Sequence, residues 1–186
     1  MADRGDKGKR PDGTGDIGDD GRIAQPGGSH GRDDVTWGGA DLRSSVLVAV
    51  LLGVALMAAI DEIVFHQILG WHHFYDRSTP AVGLLSDGLL HAGEVIAAVG
   101  GLFWYADLRR RGVLAPLAAW SGLFLGAGAF QLFDGLVDHK LLRVHQIRYG
   151  VHIGPYDLVW NLGGVLLLII GLVLILRARA VVSRAR

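Results

Sequence analysis

Four long runs of apolar residues decide this chain's environment. Ser44 to Ile60 is 17 residues without a charge, and the apolar character continues through Leu69. Leu84 to Ala106 is interrupted only by Asp87, His91 and Glu94. Val113 to Phe133 is 21 uncharged residues and Leu158 to Leu176 is 19. A hydrocarbon core of about 30 Å takes roughly 20 helical residues, so each run is long enough to span it. Only helices and closed barrels satisfy their backbone in lipid, and continuous apolar runs lack the alternation of a barrel strand. The sequence therefore predicts an all-α fold, a four-helix transmembrane bundle with helices at about 45–69, 84–106, 113–139 and 157–177. Pro116 fits the first turn of the third helix.

The rest of the chain is different. Residues 1–43 hold 16 of the 36 charged residues and 11 of the 28 glycines, so they cannot bury a core. They are expected to form a disordered cytoplasmic tail ahead of an integral membrane domain, residues 44–186. No apolar run precedes Val46, which argues against a signal peptide. Arg4-Gly5-Asp6 is a chance tripeptide, and Asp12, Thr14 and Asp16 lack the glycine and closing glutamate of a calcium loop. The absence of cysteine excludes disulfides, thiolate zinc sites and cysteine nucleophiles. A net charge of zero gives no sign of a nucleic-acid partner.

Basic residues in short loops set orientation. Arg43, Arg109, Arg110, Arg111, Arg177, Arg179, Arg184 and Arg186 fall on one side, against Arg77, Lys140, Arg143 and Arg148 on the other. That bias places both termini in the cytoplasm. Gly122 and Gly126 form a small-xxx-small pair, and Gly100, Gly101, Gly163 and Gly164 are expected at further helix contacts.

Ionisable groups inside a bilayer are costly, so their positions carry the functional information. Asp61, Glu62 and His66 close the first helix, Asp87, His91 and Glu94 open the second, Gln131, Asp134, Asp138 and His139 close the third, and Asp157 and Asn161 open the fourth. Antiparallel neighbours bring all of them to the outer leaflet. At a rise of ~1.5 Å per residue, Asp61, His91, Gln131 and Asn161 fall in one layer, and His66, Asp87, Asp134 and Asp157 in the next. Spacings of three and four residues predict one polar stripe per helix facing a common interior. Imidazoles and carboxylates without thiolates suit zinc, iron, manganese or copper(II). One or two divalent metal ions are the leading expectation, with Asp61, His66, Asp87, His91, Glu94, Asp134, His139 and Asp157 as ligands. Glu62, His72, His73, Gln131, Asp138, His145 and Asn161 would support that site or form its rim. Trp71-His72-His73-Phe74-Tyr75 reads equally as an aromatic belt, and residues 140–155 as an interfacial cap. His145 could share the stripe of Asp138 if the third helix continues, and His152 is expected in solvent.

Three other readings compete: a ligand-free polar network, haem held by two histidines such as His66 with His91 or His139, and an ion pathway. The pathway is disfavoured because the inner halves of the helices lack polar steps.

Phe65-His66-Gln67-Ile68-Leu69, Trp71-His72-His73 and Asp87-Gly88-Leu89-Leu90-His91 resemble the opening motifs of an uncharacterised bacterial membrane family, domain of unknown function 2243. Asp134 to Leu142, His145-Gln146-Ile147-Arg148-Tyr149 and Pro155 to Asn161 resemble its second half. The resemblance covers residues 44–176 and implies the fold but no activity, so whether the chain is an enzyme stays open. The family pattern has Gly at Glu62 and Gln at Asp138, whereas Asp61, His66, His91, Asp134, His139 and Asp157 match it. Links of some relatives to cytochrome oxidase assembly factors imply a respiratory complex, or its assembly factor, as partner, with a haem-binding or structural accessory role as the alternative.

Overall fold

The computed structural model describes residues 39–184, and among them all regular structure is helical. The expected tail lies, through residue 38, outside the described residues. Helix α1 runs Leu42–Ile60 and continues as a π-helix over Asp61–Ile68. Helix α2 is Pro80–Arg110, α3 is Pro116–Phe133 continued by a π-helix over Asp134–Leu141, and α4 is Gly154–Arg184. All four are long and apolar enough to cross a membrane.

The helix starts are locally encoded. The Asp41 side chain accepts from Ser44 N at 2.9 Å, capping α1. Thr79 caps α2 ahead of Pro80, and Pro116 opens α3 where a missing N–H costs nothing.

Helices α1 and α3 cross at the centre, with α2 against α1 and α4 against α3. The crossing depends on glycine: a Cβ on Gly53 would collide with the Leu123 carbonyl, and one on Gly126 with the Val50 carbonyl. Gly122 meets Val46 in the same way, whereas Gly100 has nothing within 4 Å. The outer faces of α2 and α4 carry exposed side chains such as Ile96, Phe103 and Val159, which suit lipid as solvent.

Those two glycine contacts are one contact seen twice, because a shift of 73 residues carries Gly53 onto Gly126 and Val50 onto Leu123. The same shift carries Asp61 onto Asp134, His66 onto His139, Leu69 onto Leu142 and His72 onto His145. Hydrogen bonds follow it too. Leu69 N donates to Val64 O and Leu142 N to Val137 O, while Trp71 N donates to Phe65 O and Val144 N to Asp138 O. Helix α1 and the loop after it are thus repeated as α3 and its loop, and each is followed by one further helix.

Candidate metal centre

Each half builds its polar cluster with the same device. Where α1 and α3 switch to π winding, the backbone bonds from i to i+5 instead of i+4. Residues five apart then share a side, so Asp61 meets His66 and Asp134 meets His139. The spacings of three and four expected from sequence also hold, since Glu62 meets His66 at 2.7 Å and His91 meets Glu94, and the five-residue contacts come in addition. Two residues beyond the π segments stand Gly70 (φ 57°) and Arg143 (φ 52°), positions equivalent by the 73-residue shift. From there each chain folds back over the bundle end.

The fold-back delivers two more imidazoles. His72 Nδ1–H donates to the carbonyl of Ile147 at 3.0 Å, and His145 Nδ1–H donates to that of Phe74 at 2.9 Å. Each loop's histidine therefore holds the other loop, and both rings are buried. Each carbonyl holds a proton on its Nδ1, which leaves Nε2 of His72 facing His66 and Nε2 of His145 facing Asp134. Helix α3 does not continue to His145. That residue reaches Asp134 through the turn at Arg143, with Nε2 at 3.2 Å from Oδ1.

Around His66, Nδ1 lies 2.7 Å from Glu62 Oε2 and 3.1 Å from Asp87 Oδ1. Its Nε2 lies 3.0 Å from His72 Nε2 and 3.6 Å from Asp61 Oδ2. In the second half, His139 Nε2 lies 3.2 Å from Asp134 Oδ2, and His139 Nδ1 lies 3.9 Å from Asp157 Oδ1. Both ring nitrogens of His139, and Asp134 Oδ2, are buried without a hydrogen-bond partner. Three sets of donor atoms converge closely enough to share an ion: Asp61, His66 and His72; His72, His139 and His145; and Glu62, His66 and Asp87. The His72 and His145 rings stack between the two halves.

The loop histidines titrate oppositely. Burial, reinforced by the imidazoles of His145, His66 and His139, pushes His72 down to about 2. Burial also opposes charge on His145, but its hydrogen bond and attraction to Asp134 prevail and raise it above its ordinary value.

The remaining candidates take several places. Asp87 anchors the first loop: Oδ1 accepts from Phe74 N at 2.7 Å, and Oδ2 meets His73 Nδ1 at 2.5 Å. Asp138 is buried in the second π segment. Asp157 pairs with Lys140 through Oδ2. Gln131 donates to the Trp160 carbonyl, and Asn161 to that of Asp157.

His91 and Glu94 stand apart from the imidazole cluster. They pair with each other at 2.5 Å, and the His91 side chain is 55% exposed toward the outside of the bundle. The helical wheel explains this, since Asp87 and Glu94 are seven residues apart and nearly in line, while His91 is offset by roughly 50°.

Sequence reasoning placed His72 and His145 on the rim, yet they occupy the centre. The 73-residue self-similarity would have found them, because it pairs them with each other just as it pairs His66 with His139.

No curated protein and no solved structure matches the chain. Residues 48–178 match a family described as predicted membrane protein, DUF2243, so this four-helix chain belongs to that family.

Proposed function

We propose that this membrane protein holds divalent transition-metal ions among its buried histidines and carboxylates. One observation carries the reading. His66 Nδ1 faces Glu62 and Asp87, and His72 Nδ1 is used by Ile147, so the Nε2 atoms of both rings are left for another partner. These two atoms face each other across 3.0 Å, beside the Asp61 carboxylate. One proton held between the rings, or one metal ion, satisfies the pair, and the acid groups around it favour the partner of higher charge. Asp61, Glu62, Asp87, Asp134 and Asp138 are all buried at this end, and no lysine or arginine among the described residues is buried with them. A cation offsets that concentration of acid groups.

Imidazole and carboxylate donors favour zinc, iron, manganese or copper(II). Haem fits less well, because the four imidazoles contact one another at centroid distances of 4.4 to 4.7 Å and leave no slot for a macrocycle. The arginine distribution supports cytoplasmic termini with this centre at the outer face, in the bacterial plasma membrane that the family resemblance implies.

The test is direct. The protein is purified in detergent, its metals are quantified by mass spectrometry, and its absorbance spectrum is recorded. Metal near or above one equivalent, lost on His66→Ala, is the expected result. A Soret band would instead select haem, and protein that takes up no metal from any supplied ion would leave a ligand-free polar network.

A further inference from the structure

We infer that the centre is a pair of metal sites, one per repeat, and that the two differ in kind: a closed site at Asp61, His66 and His72, and an open one at Asp134, His139 and His145. This deepens the metal-binding reading and rests on it.

The pairing follows from the repeat. Each half presents an aspartate, a histidine five residues later and a second histidine eleven residues from the aspartate, all carried over by the 73-residue shift. Donor spacing agrees. An ion about 2.1 Å from its ligands separates neighbouring donors by roughly 3.0–3.4 Å. His66 Nε2 lies 3.0 Å from His72 Nε2 and 3.6 Å from Asp61. Asp134 is divided between two rings, Oδ2 lying 3.2 Å from His139 Nε2 and Oδ1 3.2 Å from His145 Nε2, and the donors of His139 and His145 converge further with His72. Two imidazoles and one carboxylate form a three-ligand set that leaves coordination positions for other groups. Outer partners are matched as well, since His66 Nδ1 looks to Asp87 of α2, and His139 Nδ1 looks to Asp157 of α4.

The difference comes from substitutions between the halves. Glu62 corresponds to Gly135, so the first half crowds His66 with an extra carboxylate that the second half lacks. In the second half both ring nitrogens of His139 and Asp134 Oδ2 stay unpartnered, whereas around His66 in the first half it is Glu62 Oε2 that does. A cavity of about 870 Å³ borders His139 and His145 together, with Arg77, Arg143 and the Asp157-paired Lys140 at its wall against one acid, Asp76. A smaller one of about 380 Å³ reaches only His72 of the first set. The second site is therefore the one that an outside ligand can enter, and its cationic wall favours small anions or anionic oxygen donors.

Cobalt(II) is the probe, because its visible spectrum reports nitrogen and oxygen coordination. The detergent-purified full chain is loaded with cobalt(II), freed of excess metal and analysed by mass spectrometry, then titrated with azide as a small anionic ligand. Two cobalt ions per chain are expected, falling to one in His66→Ala and one in His139→Ala. Azide should change the spectrum of the unmodified protein and of His66→Ala, and leave that of His139→Ala unchanged. Asp61→Asn and Asp134→Asn repeat the comparison if an alanine variant does not yield folded protein. One cobalt per chain in the unmodified protein, or loss of both ions in either single variant, overturns the two-site inference while leaving metal binding intact. An azide response that survives His139→Ala but not His66→Ala overturns the assignment of the open site. No cobalt at all defeats the metal reading itself.

Discussion

His72 and His145 stack with ring centroids 4.6 Å apart and planes 9° from parallel, and each donates to the carbonyl two residues beyond the other. Two loops separated by more than seventy residues are thus cross-tied at their centres. A buried hydrogen bond is worth about 0.5–1.5 kcal/mol, roughly up to tenfold in an opening equilibrium. His72→Ala is therefore expected to speed amide exchange by up to about tenfold in residues 143–153 as well as in its own loop. The Asp76 amide, which donates to Val144 O across the loops, is the sensitive reporter. Acceleration confined to residues 69–79 would show that the loops are independent.

The two turn positions give a paired test. Gly70 and Arg143 both adopt left-handed backbone, which costs a residue with a Cβ about 1–2 kcal/mol. Gly70→Ala is expected to lower stability by about 1 kcal/mol. Arg143→Gly removes the strain but frees the unfolded chain, so its net effect lies between zero and a gain of about 1 kcal/mol. Thermal unfolding in detergent measures both. A large loss on Arg143→Gly would mean that its contact with the Lys140 carbonyl outweighs the backbone term.

Acid should release the start of α1. Hydrogen bonds from Ser44 hold the Asp41 carboxyl below its ordinary value, so the charged form is favoured by folding. The sign follows from linkage: this contribution is present above about pH 4 and is lost as pH falls through the depressed folded value. Asp41→Ala is expected to cost about 1 kcal/mol at neutral pH, as for a lost helix cap. Asp41→Asn should keep most of that stability and lose its acid dependence. The comparison needs stability of the two variants and the parent between pH 3 and 7.

Orientation can be checked because the chain contains no cysteine. Ser78 and Ser183 are exposed at opposite ends of the bundle. An impermeant maleimide added to intact cells should label Ser78→Cys and not Ser183→Cys. The reverse pattern would turn the protein over.

The bundle was legible because burial in lipid needs only length and apolarity, and both are written in each run. The gathering of Asp61, His66, Asp87, Asp134 and His139 at one end of the bundle was legible for a related reason, since an ionisable group within an apolar helix is conspicuous. His91 obeyed the same rule and still faces outward, because a difference of about 50° around a helix lies within what spacing alone resolves. The switch to i+5 winding has no residue signature, so the partnership of Asp134 with His139 was hidden behind the i+4 spacing of Asp134 and Asp138. His72 and His145 were misplaced because what fixes them is a carbonyl in the other half of the chain, beyond the reach of any local pattern.

The reciprocal ties between the loops also govern how the protein is made. Helices α1 and α2 enter the membrane with His66 and Asp87 in place, but His72 lacks its carbonyl until Ile147 has been synthesised. Neither half finishes its own cluster, so docking of the second hairpin on the first is the step that completes both. Until then the first hairpin holds Asp61, Glu62 and Asp87 against the histidines of its own half, while the tie that fixes His72 is still missing.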